Sequence, residues 1–200
     1  MNGRLILMAM VGSLCGGALT LAHEDADHSH QIRQIQKQEQ ERREHIKQQK
    51  LENAAFRESL KGMTPAERKA ALAAHRQAQF EENKDFRQQQ HEENLAFLKA
   101  RLAKNSKLTD AQKEELINFF EEQYQESVDF RAAQHQENVA FFESIANDAS
   151  LTMAQKKEAI RDHFKTQRAE NKAFLQEQKS ENQAERAKFK SEIDSSSETK

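Results

Sequence analysis

Residues 123–141 read QYQESVDFRAAQHQENVAF and carry a pattern that recurs through the chain. Its members follow a repeating cycle of four, three and four residues, and they are Gln123, Ser127, Phe130, Gln134, Asn138 and Phe141. These steps place all six side chains on one face of an α-helix, and the pattern returns about every eleven residues. The stretch therefore predicts a long helix with one aromatic and amide face.

The same face recurs in three other segments. The upstream copy is Gln79, Asn83, Phe86, Gln90, Asn94 and Phe97, and a weaker copy before it is Gln38, Arg42, His45, Gln49, Asn53 and Phe56. The downstream copy is Gln167, Asn171, Phe174, Gln178 and Asn182, after which Glu185 replaces the Phe. We call these faces together the Phe/Gln/Asn stripe. Their spacing predicts an internal repeat of about 44 residues.

The repeat predicts an all-α fold of four long helices in antiparallel hairpins, as a thin bundle or an elongated dimer. The helices are expected at about 31–60, 65–103, 110–146 and 153–193. We expect a mobile tail rich in His and acids at 23–30 and a disordered tail at 194–200. Together the four helices make one helical repeat domain, 31–193.

Short polar motifs mark the starts of the last three helices. Thr64-Pro65-Ala66-Glu67, Thr109-Asp110-Ala111-Gln112 and Thr152-Met153-Ala154-Gln155 each place a Glu or Gln three residues after a Thr. This is the capping-box pattern, in which the two residues satisfy each other's backbone N–H groups. In the first motif Pro65 also suits the first helical position.

The first 22 residues resemble a secretory signal peptide. Arg4 precedes an apolar run from Leu5 to Leu21, and Thr20-Leu21-Ala22 offers a cleavage site. An uncleaved anchor is the alternative. Cleavage would remove Cys15, which is the one cysteine of the chain, so the mature protein would have no disulfides.

The charge balance and the polarity narrow the class of protein. The formal net charge is −2 at pH 7 and no basic row stands out, so we expect no nucleic-acid partner. The mean hydropathy of −1.00 argues against a thick core and against stable membrane insertion after signal cleavage. Neither a Gly-rich phosphate loop nor a nucleophile beside a base is evident, so we expect no catalytic residues and no enzyme.

The Phe/Gln/Asn stripe has two interpretations. In the first, its phenylalanines anchor helix packing while the amides bond across the helices and fix their register. In the second, the stripe stays open to unfolded or envelope proteins. A lipid surface fits less well because amides occupy the stripe. The partner-binding candidates are Phe56, Phe86, Phe97, Phe130, Phe141, Phe174, Gln90, Gln134, Asn94 and Asn138.

A metal site is the alternative function. His23, His28 and His30 stand beside three carboxylates and could bind Zn, Ni or Cu, although an ordinary solvated tail explains them equally well. No cofactor is required by any other motif. A structural helical spacer is a third interpretation.

Leu108-Thr109-Asp110-Ala111-Gln112 and Leu151-Thr152-Met153-Ala154-Gln155 resemble the LTxxQ motif of the periplasmic Spy/CpxP family and its zinc-resistance-associated relatives. Met63-Thr64-Pro65-Ala66-Glu67 resembles a degenerate third copy. The resemblance implies a periplasmic helical stress protein, often a homodimer. Members act as chaperones, as regulatory partners of a sensor kinase, or as metal-responsive proteins. The near-neutral charge and the 44-residue repeat depart from the family pattern.

Overall fold

The computed structural model describes the backbone of residues 21–198 and the side chains of Ser29 and residues 32–192. All regular structure in this part of the chain is helical, which confirms the all-α fold. The helices are α1 (Leu21–Ser59), α2 (Pro65–Lys104), α3 (Asp110–Asn147) and α4 (Met153–Glu198). The predicted signal peptide lies outside the described residues up to residue 20, and both it and the internal repeat stay predictions.

The two ends of the chain correct the expected helix bounds. α1 begins at Leu21, so the backbone of residues 23–30, which the sequence predicts to be a mobile tail, lies within a helix. α4 continues to Glu198, through most of the segment that was expected to be disordered. Neither Gly nor Pro occurs in residues 18–61 or after Pro65, so nothing in the backbone chemistry stops either helix.

The three predicted capping boxes are formed at the starts of α2, α3 and α4. At α3, Thr109 N donates to Gln112 Oε1 at 3.0 Å, and Gln112 N donates to Thr109 Oγ1 at 3.2 Å. The corresponding distances are 2.8 and 3.3 Å at α4, and 2.8 and 3.3 Å at α2, where a Glu takes the Gln position. Both donors from Thr64 lower the pKa of the Glu67 carboxyl, because they stabilise its charged form.

The turn between α1 and α2 depends on a glycine. Gly62 has φ +85°, in the left-handed region that side chains with a Cβ disfavour. A Cβ at this position would have no atom within 4 Å, so glycine is favoured here by the backbone conformation and not by lack of space. The turn also bonds Met63 N to Leu60 O at 3.3 Å, which closes the end of α1.

The chain divides into two compact units, whose described residues are 21–94 and 95–198. In the first unit α1 runs antiparallel to α2, since Phe56 meets His75 beside the turn and Gln38 meets Asn94 far from it. Among the described side chains of this unit, Gln90 alone is buried. The first unit is therefore a two-helix layer without a closed apolar core.

The second unit joins the end of α2 to the α3/α4 hairpin. Its antiparallel pairing runs from Phe141 and His163 beside the turn to Glu115 and Lys188 at the far end. The far end holds an apolar core to which all three helices and the α2–α3 turn contribute: Leu98, Leu102, Leu108, Leu116, Phe120 and Phe189. Phe189 has no exposed surface, and burial of side chains of this size contributes about 1.5–3 kcal/mol each.

Candidate partner-binding face

In the first hairpin, which α1 and α2 form, the stripe makes contacts in which a His, an Asn and a Phe meet. His75 stacks on Phe56 with ring centroids 3.8 Å apart, and its Nε2 lies 2.9 Å from Asn53 Oδ1. His45 makes the reciprocal contact with α2: its ring stacks on Phe86 at 4.2 Å, and its Nε2 lies 3.1 Å from Asn83 Oδ1. Each histidine thus offers a flat ring to a phenylalanine and an N–H to an amide oxygen.

The second hairpin has one contact set of the same kind. His163 stacks on Phe141 at 3.9 Å, and its Nε2 lies 2.9 Å from Asn138 Oδ1. At the reciprocal position the histidine is replaced by Phe130, which stacks on Phe174 with centroids 4.2 Å apart. Ring pairs of this kind contribute about 0.5–1.5 kcal/mol beyond the area they bury.

Layers of amides alternate with the rings. In the first hairpin Gln38 Nε2 donates to Asn94 Oδ1 at 2.7 Å, and Gln90 Nε2 donates to Glu41 Oε2 at 2.6 Å. Gln90 is only 1% exposed, so this bond to a carboxylate satisfies an otherwise costly buried amide. These two bonds join α1 to α2, whereas the Nε2 atoms of Gln49 and Gln79 in the same stripe are buried without a hydrogen-bond partner among the described residues.

The second hairpin has an amide layer at its middle. Asn182 Nδ2 donates to Gln123 Oε1 at 3.2 Å, and Gln123 Nε2 donates to Glu181 Oε2 at 2.6 Å. Glu126 lies at the edge of this layer, where Gln123 Nε2 reaches it at 3.3 Å. Burial and the neighbouring carboxylate of Glu181 raise the pKa of Glu126, because both disfavour its charged form.

All ten predicted partner-binding residues are described. The six phenylalanines are half-buried, as are Gln134, Asn94 and Asn138, and Gln90 is buried. Five of the phenylalanines stack on a ring of the facing helix, while Phe97 has the Arg101 guanidinium 5.9 Å from its centroid. Gln134 accepts from Asn171 at 3.2 Å. The geometry matches the packing interpretation, and a client would meet ring edges here, not whole ring faces.

Sequence reasoning missed an aromatic cluster near the α3–α4 turn. Phe142 and Phe164 extend the Phe141–His163 stack, with the Phe142 and Phe164 centroids 6.0 Å apart. Phe164 is 40% exposed. Both lie one position outside the stripe, so a search restricted to steps of four, three and four could not find them.

The predicted metal site falls on His23, His28 and His30, whose side chains lie outside the described residues. It stays a prediction. Within the described residues no group of three or more His, Cys, Asp or Glu side chains is arranged to hold a metal ion. Three helical histidines in this region belong to the ring contacts: His45, His75 and His163.

Comparisons with family models, with curated proteins and with solved structures find no match to this chain. None of the described helices is both long enough and apolar enough to cross a membrane. The function must therefore be argued from the residues and their geometry.

Proposed function

We propose that this chain is a non-enzymatic helical stress protein of the periplasm that binds other proteins, like the LTxxQ chaperones and regulatory partners that it resembles. One observation carries the proposal. The six phenylalanines of the stripe keep part of their surface exposed, whereas Phe120 and Phe189 in the apolar core are 7% and 0% exposed. Rings held in this way present apolar edges without a fully open face.

The amides between the rings support the same function. A non-native polypeptide offers both apolar side chains and unpaired backbone N–H and C=O groups. A surface on which ring edges alternate with Gln and Asn can meet both needs with weak contacts. Binding of this kind tolerates many sequences, which suits a chaperone or a regulatory partner more than an enzyme.

The test uses protein that has been exported and purified from the envelope fraction, with mass spectrometry to establish where it begins. We expect it to suppress the aggregation of a chemically denatured client at near-stoichiometric ratios. Phe86→Leu combined with Phe130→Leu should weaken suppression several-fold while circular dichroism stays helical, because leucine fills the hairpin but removes the ring edges. Leu51→Ala is the matched control, since Leu51 is apolar and 60% exposed but lies off the stripe.

Failure to suppress several different clients at tenfold excess, by a chain that is fully helical, would reject the proposed function. Equal suppression by the double variant and by wild type would reject the stripe as the binding surface.

A further inference from the structure

α4 carries a row of basic side chains along one side. We call it the α4 basic row, and its members are Lys157, Arg161, Lys165, Arg168, Lys172, Lys179, Arg186 and Lys190. Successive members are three, four or seven residues apart, so they share one helical face, away from the face that α4 turns to α3. Phe164 and Leu175 continue the row at the same steps, and Glu158 and Asp162 border it, three residues before Arg161 and Lys165 respectively.

The side chains of this row are mostly exposed and make no direct ion pairs with other described side chains. Seven of its members are exposed and Arg186 is half-buried. Among the described residues none of the eight takes part in an ion pair or a side-chain hydrogen bond. By contrast, Lys188 of the same helix pairs with Glu115 and, at 3.7 Å, with Glu185.

Two acids of α4 are engaged by residues outside the row. Glu181 accepts a hydrogen bond from Gln123, and Glu185 lies beside Lys188. The row therefore concentrates positive charge along about 50 Å of α4, the length of its 34 residues at 1.5 Å each. Phe164, which is 40% exposed, adds an apolar contact near one end.

We infer that the α4 basic row docks an acidic segment of a partner protein. This rests on the proposed function and names the chemistry of the partner. A membrane-surface helix needs a broad apolar face, and the row offers only Phe164 and the half-buried Leu175. A duplex nucleic acid is wider than this single row, so part of its phosphates would also meet the acids of the neighbouring α3, which has nine acidic residues against two basic ones. An acidic polypeptide can place carboxylates along the row alone.

The test measures binding of a fluorescent poly-L-glutamate of about 30 residues to the full chain at low and moderate salt. We expect saturable binding that weakens as salt rises, because the contacts are exposed. Arg161→Glu, Arg168→Glu and Lys172→Glu together should weaken binding at least about tenfold, since three ion pairs become three repulsions. The matched control reverses Lys47, Lys61 and Lys84, which have the same net charge but each pair with a glutamate.

Equal losses of poly-L-glutamate affinity in both triple variants would overturn the inference, because binding would then depend on the net charge of the protein and not on the α4 basic row. Absence of poly-L-glutamate binding by wild type would also overturn it, as would row-dependent binding of phosphatidylglycerol vesicles or of an oligonucleotide in its place. Client suppression without poly-L-glutamate binding leaves the proposed function standing and removes only the row. Poly-L-glutamate binding through the row without suppression of any client would reject the proposed function and keep the row as a binding surface for acidic segments.

Discussion

At the scale of single residues, the asparagines of the stripe connect two helices through one side chain. Asn53 Nδ2 donates to Gln49 O at 2.8 Å within α1, while its Oδ1 accepts from His75 of α2. Asn83 does the same with Gln79 O, at 2.6 Å, and with His45. Asparagine is a poor residue for a helix interior, and these paired bonds explain its presence at mid-helix.

Asn138→Ala should lower the free energy of unfolding by about 1 kcal/mol. The change removes the oxygen that accepts from His163 Nε2 at 2.9 Å, and the better helix propensity of alanine offsets only part of that loss. Asn118→Ala is the control on the same helix, because Asn118 is exposed. This variant should have a free energy of unfolding about 0.5 kcal/mol higher than wild type, from helix propensity alone. Urea unfolding followed by circular dichroism measures both. Stabilisation by the two variants alike would show that the His163 contact contributes nothing.

At the scale of elements, each of the last three helices begins where a Thr and a Glu or Gln close a capping box. The box needs only four consecutive residues, so its effect is local and does not depend on how the hairpins pack. α1 has no such box in its predicted position, and the structure continues that helix back to Leu21.

Thr109→Ala should destabilise the second unit by about 1 kcal/mol, because it removes the acceptor that satisfies Gln112 N at the start of α3. Thr166→Ala, at an exposed position inside α4, should be neutral or slightly stabilising, since a β-branched residue is lost there. Thermal unfolding of the two variants, compared with wild type, measures the difference. Equal melting temperatures for both would mean that the box is not needed to hold the helix start.

Features set by a few consecutive residues could be predicted from the sequence, whereas features set by helix packing could not. The starts of α2, α3 and α4 follow from local residues, and the antiparallel pairing of His75 and His163 with the Phe/Asn part of the stripe follows from short turns. The stacking of each ring on one particular partner does not, because it depends on the register that the turns impose. The α4 basic row was missed because composition averages its charges with acids on other faces. Counting Lys and Arg at steps of three, four and seven would have revealed it.

At the scale of the whole molecule, the two units have different kinds of interior. The six buried apolar side chains of the described chain all belong to the second unit. The described part of the first unit is joined by ring stacks and amide bonds, with Gln90 as its one buried side chain. A layer held by such contacts opens at lower free energy than one with a closed core.

Backbone amides in the middle of α1 should therefore exchange with solvent at least about tenfold faster than those of α3 near Phe120.

Phe189→Ala should lower the free energy of unfolding of the second unit by about 3–5 kcal/mol, because it leaves a cavity among Leu98, Leu102 and Leu116. Hydrogen exchange with mass spectrometry follows both regions in one experiment. Leu51→Ala, at an exposed site of α1, should change neither. Equal protection of backbone amides from exchange in all four helices would contradict the expected faster exchange of α1.

The amide layers of the first hairpin also affect how its stability depends on temperature. Exposure of apolar surface on unfolding raises the heat capacity, whereas exposure of polar surface lowers it. The layer between α1 and α2 combines Gln, Asn and His with the rings of Phe56 and Phe86, so we expect it to unfold with a smaller heat-capacity change than an apolar core of the same length. Its stability curve should therefore be less strongly curved, so cooling should weaken this hairpin less than it weakens the apolar core of the second unit.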